Sequence, residues 1–175
     1  MVAVAALLCV AWVAIDAPPQ APLVRARPMS DIAHAIVDDA RRRSPLIDRL
    51  LAEIDASDLI VFIEFQDEPT SRPGRTRLIS ANDAARFVAV TVNLALPHDR
   101  RAEILAHELQ HVVEIAHAPD VRDDAGMRRL FGGIGWCGGA SSFETAAAIQ
   151  VENTVRRELW VSTSGTKPKP GAVKR

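Results

Sequence analysis

Tyrosine is missing from this 175-residue chain. Any mechanism that needs a phenolic hydroxyl is therefore excluded. Cysteine is scarce: Cys9 and Cys137 are the only two, and they form neither a CxxC pair nor a disulfide framework. Thiolate ligands for a metal are thereby all but ruled out. Charge of one sign is lacking as well. The net charge is -1 with a pI near 6.5, so no global basic footprint points to nucleic acid. An unbroken apolar run from Val2 to Ile15 has 14 residues and is too short to span a bilayer comfortably.

That run sits in "MVAVAALLCVAWVAIDAPPQAP", which ends in a proline-rich break and is unlike everything after it. It fits the core of an export signal, which would make the mature protein periplasmic or secreted. Against this, no Lys or Arg precedes the run, and Pro18 follows the best small residue, Ala17. A buried N-terminal strand, or translation from Met29 in a cytoplasmic protein, are the alternatives. The organisation expected is a leader over 1–28, one domain over 29–161 and a basic, proline-broken tail over 162–175 that stays disordered.

Within the domain, "SDIAHAIVDDARRRS" and "SPLIDRLLAEIDAS" show helical spacing, each opened by a serine able to cap it. "LIVFIEF", "TRLIS" and "RFVAVTVNL" read as three strands, with turn residues in "DEPTSRPGR". "LPHDRRAEILAHELQHVVEIAHAP" reads as one long helix that Pro119 forbids from continuing. A shorter helix covers "DDAGMRRLFGGI", and "GWCGGAS" is a glycine-rich loop. "SSFETAAAIQVENTVRRELW" is the last helix, with Ser141 or Ser142 as its cap. The fold class implied is α+β. A short mixed or antiparallel sheet of about three strands packs on the long helix and its neighbours.

The long helix carries HELQH at residues 107–111, an H-E-x-x-H match. Residues at i and i+4 share a helical face, so the imidazoles of His107 and His111 can reach one ion. Glu108, about 100° around the helix, points beside that face, where it can meet an activated water rather than the metal. Zinc is the ion this pattern takes. A helix without metal is the bland reading.

A catalytic zinc site wants a third protein ligand. His117 would give H-E-x-x-H-x-x-E-x-x-H, but that arrangement needs a sharp turn after the second histidine, and Glu114 stands where glycine would permit it. On an unbroken helix His117 lies ~15 Å along the axis from His107. Glu114 is on the right face, yet three ligands from one straight helix cannot surround an ion, so a supporting role suits it better. Asp120, Asp123 and Asp124 lie just past the helix stop. Glu144 is expected in the first turn of the last helix, behind a glycine-rich loop that lets the chain fold back. That is the gluzincin layout, and it favours Glu144, with Glu152 a weaker candidate on the same helix. An acidic residue there is also favoured by the helix dipole alone.

The runs "SPLIDRLLAEIDASDLIVFIEF", "ILAHELQHVVEIAHAPDVRDDAGMRRL" and "SSFETAAA" together resemble a family of small, mostly uncharacterised bacterial zincin-like metallopeptidases. The resemblance covers about residues 44 to 159. It implies a minimal zincin fold, a zinc ion and peptidase activity on an unspecified peptide or protein. Glu108 would be the general base, and His107, His111 and Glu144 the zinc ligands. With tyrosine absent, oxyanion support would fall to His98, His117 or an arginine. The substrate would lie along an edge strand within "ARFVAVTVNL". Two rivals stay open: a zincin-like fold used as a binding module, and a hydrolase of a non-peptide or cell-wall amide. The remaining residues get plainer readings. His34 and His98 are surface or capping residues, Arg41–Arg43 a charged helix end, and Trp136 and Trp160 packing residues. Cys137 lacks a histidine arrangement that would make it a nucleophile.

Overall fold

The computed structural model describes residues 24–67, 72–137 and 143–164. The leader's apolar run and nearly all of the tail lie outside these residues. The chain runs β1 (Ala26–Pro28), α1 (Asp31–Arg43), α2 (Pro45–Asp55), β2 (Leu59–Gln66), β3 (Gly74–Ala81), β4 (Arg86–Asn93), α3 (His98–Ala116), α4 (Asp124–Ile134), β5 (Gly135–Cys137), β6 (Phe143–Thr145) and α5 (Ala146–Ser164). The class is α+β, with a mixed four-stranded sheet where about three strands were expected. The additional strand, β1, lies upstream of residue 29 and pairs in parallel with β2.

The helix caps follow the serines. Ser30 Oγ accepts from Ala33 N at 3.1 Å, and Ser44 Oγ accepts from Ile47 N at 3.2 Å, with Pro45 in the first turn of α2 where no N–H is needed. In β2, Leu59, Val61, Ile63 and Phe65 point inward; in β4, Arg86, Val88, Val90 and Val92 do. Strict alternation of this kind belongs to a sheet with one face on the core.

The sheet order β1-β2-β4-β3 corrects one expectation. Strand β4 sits centrally, parallel to β2 and antiparallel to β3. A run as β-branched as "VAVTV" suits burial between neighbours. The edge beside α3 is therefore β3. Asn93 N donates to Pro73 O at 2.9 Å, which turns the backbone groups of residues 73, 75 and 77 toward β4. Those of Gly74 and Thr76 face the open edge.

Helix α3 is the centre of the domain. Twelve of its 19 residues are buried, more than one apolar stripe would need, because it packs on β3, β4, α2 and α5. Its C-terminal carbonyls are met by a side chain. The guanidinium of Arg86, fully buried, donates from Nη1 to Ile115 O and Ala118 O, both at 2.8 Å, and forks onto Asp58 at 2.6 and 2.9 Å. Buried charge is tolerated only with such complete partnering.

Candidate metal centre

His107, Glu108 and His111 are only 7%, 6% and 5% exposed, because α3 packs against β3 and α5 there and the Phe131 ring lies on His111. The two imidazole rings stand edge to face with centroids 4.9 Å apart. One turn of helix has brought them to a common side, as the i, i+4 spacing requires.

Glu144 arrives from a different element than expected. It lies on β6, not in the first turn of the last helix, and Thr145 is the cap of α5: Thr145 Oγ1 accepts from Ala148 N at 3.1 Å. Neither Ser141 nor Ser142 holds that position; both lie outside the described residues. The hairpin pairs Gly135 with Thr145 and Trp136 with Glu144. Gly135 is required there, since a Cβ would stand 2.4 Å from the Glu144 carbonyl oxygen. This close pairing delivers the Glu144 carboxylate to α3, with Oε2 3.3 Å from His107 Nε2.

That distance has a chemical reading. Two ligand atoms each ~2.0–2.1 Å from a tetrahedral ion are ~3.3–3.4 Å apart. Both histidines also have a carboxylate behind them. His107 Nδ1 lies 3.2 Å from Glu152 Oε2, outside hydrogen-bond geometry, and His111 Nδ1 lies 2.8 Å from Glu114 Oε2. A carboxylate that accepts from Nδ1–H leaves the Nε2 lone pair for a metal, as Glu114 does for His111. Among the described residues, however, no three His, Cys, Asp or Glu side chains are gathered closely enough to hold a metal ion. His107 and Glu144 stand at ligand spacing; bringing in a third donor requires side-chain movement. In type, two imidazoles and a carboxylate are a zinc donor set.

Glu108 is positioned from β3. Thr76 Oγ1 lies 2.8 Å from Glu108 Oε2 and 3.1 Å from the Glu108 carbonyl. A Cβ on Gly74 would lie 2.7 Å from Glu108 Oε1 and 2.6 Å from the Ile104 side chain, so only glycine lets the edge strand come this close. Burial pushes the Glu108 carboxyl up to about 7, helped by the nearby Glu144 charge and opposed by His111 and the Thr76 hydrogen bond. A carboxyl there can both take and return a proton near neutrality. Burial and the neighbouring His111 hold His107 below its ordinary value. Burial also pulls on His111, but the Glu114 hydrogen bond and the charges of Glu108, Glu114 and Glu144 outweigh it, and its value rises.

Glu152 is kept ionised despite burial by Arg100, whose Nη1 lies 2.5 Å from Oε1. Arg100 also donates to Glu103 at 2.7 Å, and Arg156 touches both carboxylates. Arg100 and Glu152 border a cavity of about 290 Å³, with Thr76, Glu108 and Glu144 on its polar wall and Met127, Phe131 and Phe143 on its apolar one.

The remaining sequence candidates lie elsewhere. His117 is the C-cap of α3, 68% exposed, with Nε2 2.8 Å from Glu53. Asp123 caps α4, and neither it, Asp120 nor Asp124 lines the cavity. His98 pairs with Asp39 and Asp99 at the other end of α3. Of the oxyanion candidates, arginines alone remain at the cavity: Arg72, Arg75 and Arg100. Trp136 and Trp160, expected to pack, are 49% and 74% exposed. Sequence reasoning missed Gly74, Thr76, Arg100 and the supporting part of Glu152. A Gly-x-Thr spacing on an edge strand was the signal for the first two, but it is weak before the sheet order is known.

No protein-family model, curated protein or solved structure matches the chain. Among the described residues no helix is long and apolar enough to cross a membrane.

Proposed function

We propose that this chain is a zinc-dependent metallopeptidase of gluzincin type on a minimal zincin-like fold. The observation that carries the reading is the approach of Glu144, from a separate element, to within 3.3 Å of His107 Nε2 on an H-E-x-x-H helix. His107, His111 and Glu144 would hold zinc. When bound there, zinc would supply Lewis acidity, polarising a carbonyl and acidifying water.

The protein's own part is positioning and proton transfer. Thr76 occupies Glu108 Oε2, which leaves Oε1 to take a proton from water and return it to the leaving amine. An extended peptide would pair with the outward backbone groups of Gly74 and Thr76 on β3. Its side chains would meet the apolar wall of Met127, Phe131 and Phe143. An arginine at the cavity would support the oxyanion.

The test is zinc content together with hydrolysis of an unfolded protein. About one zinc per chain is expected, with hydrolysis that Glu108→Gln abolishes while metal is retained. A metal-free protein after purification without chelators, or an active Gln variant, contradicts the reading. Hydrolysis of an amide but of no peptide would move it to the non-peptide alternative.

A further inference from the structure

Glu114 has an arrangement that a surface carboxylate would not need. It is one turn past His111 on α3, its side chain only 10% exposed, and each oxygen has its own partner. Oε2 is 2.8 Å from His111 Nδ1, and Oε1 accepts from Thr145 Oγ1 at 2.7 Å. Thr145 follows Glu144 directly, at the junction of β6 and α5. Its hydroxyl is fully used, donating to Glu114 and accepting from Ala148 N. One buried carboxylate thus ties a histidine of the HExxH helix to the short strand that brings in Glu144, 31 residues away.

From this we infer that Glu114 is the positioning residue that sets the relative placement of His111 and Glu144, through a His111–Glu114–Thr145 bridge. The inference rests on the zinc reading and deepens it. Three physical points carry it. A carboxylate taken out of water is costly unless both oxygens are paired, so the site is built around this group rather than merely tolerating it. An acceptor at Nδ1 fixes the tautomer that leaves the Nε2 lone pair for a metal. The bridge also crosses between two elements, α3 and the β5–β6 hairpin, so its loss would let the hairpin carrying Glu144 shift against α3. Glu114 is not itself a ligand here, because both of its oxygens are committed.

The experiment measures zinc affinity by competition with a chromophoric chelator, on the parent chain and on Glu114→Gln, Thr145→Val, Thr145→Ser and the Glu114→Gln/Thr145→Val double variant. Metal-free circular dichroism and melting are recorded for each. Glu114→Gln should weaken zinc binding ~10–100-fold, the range seen when a group supporting a metal ligand is removed. Thr145→Val should lose about 10-fold, and Thr145→Ser, which keeps the hydroxyl, should bind close to the parent. The double variant should bind no more weakly than Glu114→Gln alone, because the two residues act through one bridge. A general loss of stability, which Thr145→Ser would also repair because its hydroxyl still caps α5, would show in the metal-free melting and would not give this non-additivity. Cobalt uptake gives a second readout, its tetrahedral absorption bands altering in Glu114→Gln and Thr145→Val and keeping the parent form in Thr145→Ser. Should Glu114→Gln fail to fold, the Thr145→Val and Thr145→Ser pair decides at a temperature where metal-free melting shows both fully folded: weaker zinc binding in Thr145→Val alone supports the bridge, and equal affinity overturns it. Parent-like affinity in a folded Glu114→Gln, or fully additive losses, would overturn the inference. A parent that takes up no zinc would instead overturn the zinc reading, and this inference with it.

Discussion

Helix α3 carries two clusters of buried polar groups, and they are opposites. At its C-terminal end Arg86 is fully buried and spends its donors on Ile115 O in the last turn, on Ala118 O just past it and on Asp58. Two turns earlier, His107, Glu108 and His111 are almost as buried, yet their polar atoms are poorly matched. His107 Nδ1 has no hydrogen bond, and Glu108 is pushed up to about 7. A cluster whose donors and acceptors cancel holds a fold together. One that keeps unspent donor atoms beside a cavity has capacity left for a ligand.

The largest expected effect breaks the first cluster. Arg86→Met should cost about 3–5 kcal/mol in urea unfolding, because the carbonyls of α3 and the Asp58 carboxylate lose their partner together. A loss below about 1 kcal/mol would show that the clamp is dispensable and the contrast mistaken. Next is Gly74→Ala, whose new methyl collides with Glu108 and Ile104. A cost of about 1–3 kcal/mol is expected, with hydrolysis falling more than stability explains. Unchanged activity would show that Glu108 need not sit against β3.

Smaller still should be Glu144→Gln, which removes a proposed ligand and not a structural group. Zinc affinity should drop at least ~10-fold, while metal-free melting barely moves. His117→Ala should change neither, since that ring pairs with Glu53 at the surface. The smallest effect is acid sensitivity. The Arg86 hydrogen bond, foremost, holds the Asp58 carboxyl below its ordinary value. A depressed carboxyl contributes stability above its unfolded value of ~3.9, and that contribution fades as pH falls through the folded value. The parent should therefore lose more stability than Arg86→Met between about pH 5 and pH 2, and parallel curves would remove Asp58 from the clamp.

Much of this was legible in the residues, for identifiable reasons. HELQH declared itself because i, i+4 spacing is local, and Ser30 and Ser44 cap their helices where their position implied. Glu144 was legible as a residue and misplaced as an element. Its alanine-rich surroundings favour helix, but pairing across Gly135 pulls Phe143–Thr145 into a strand. The edge strand was misassigned because sheet order is non-local: β4 slips between β2 and β3, and no property of "RFVAVTVNL" alone says so. Strand β1, three residues ending in proline, is too short to signal itself. Arg86 was opaque because one arginine at a strand start looks like any exposed cation until α3 ends above it.

The account's central claim is that Glu144 completes a zinc site with His107 and His111. A crystal structure of the zinc-loaded protein tests it most directly. The account predicts one ion bound by the Nε2 atoms of His107 and His111, with a Glu144 carboxylate oxygen ~2.0–2.2 Å away. Zinc bound without Glu144, with His117 or Glu152 in its place, would contradict it, as would crystals that take up no zinc at these histidines.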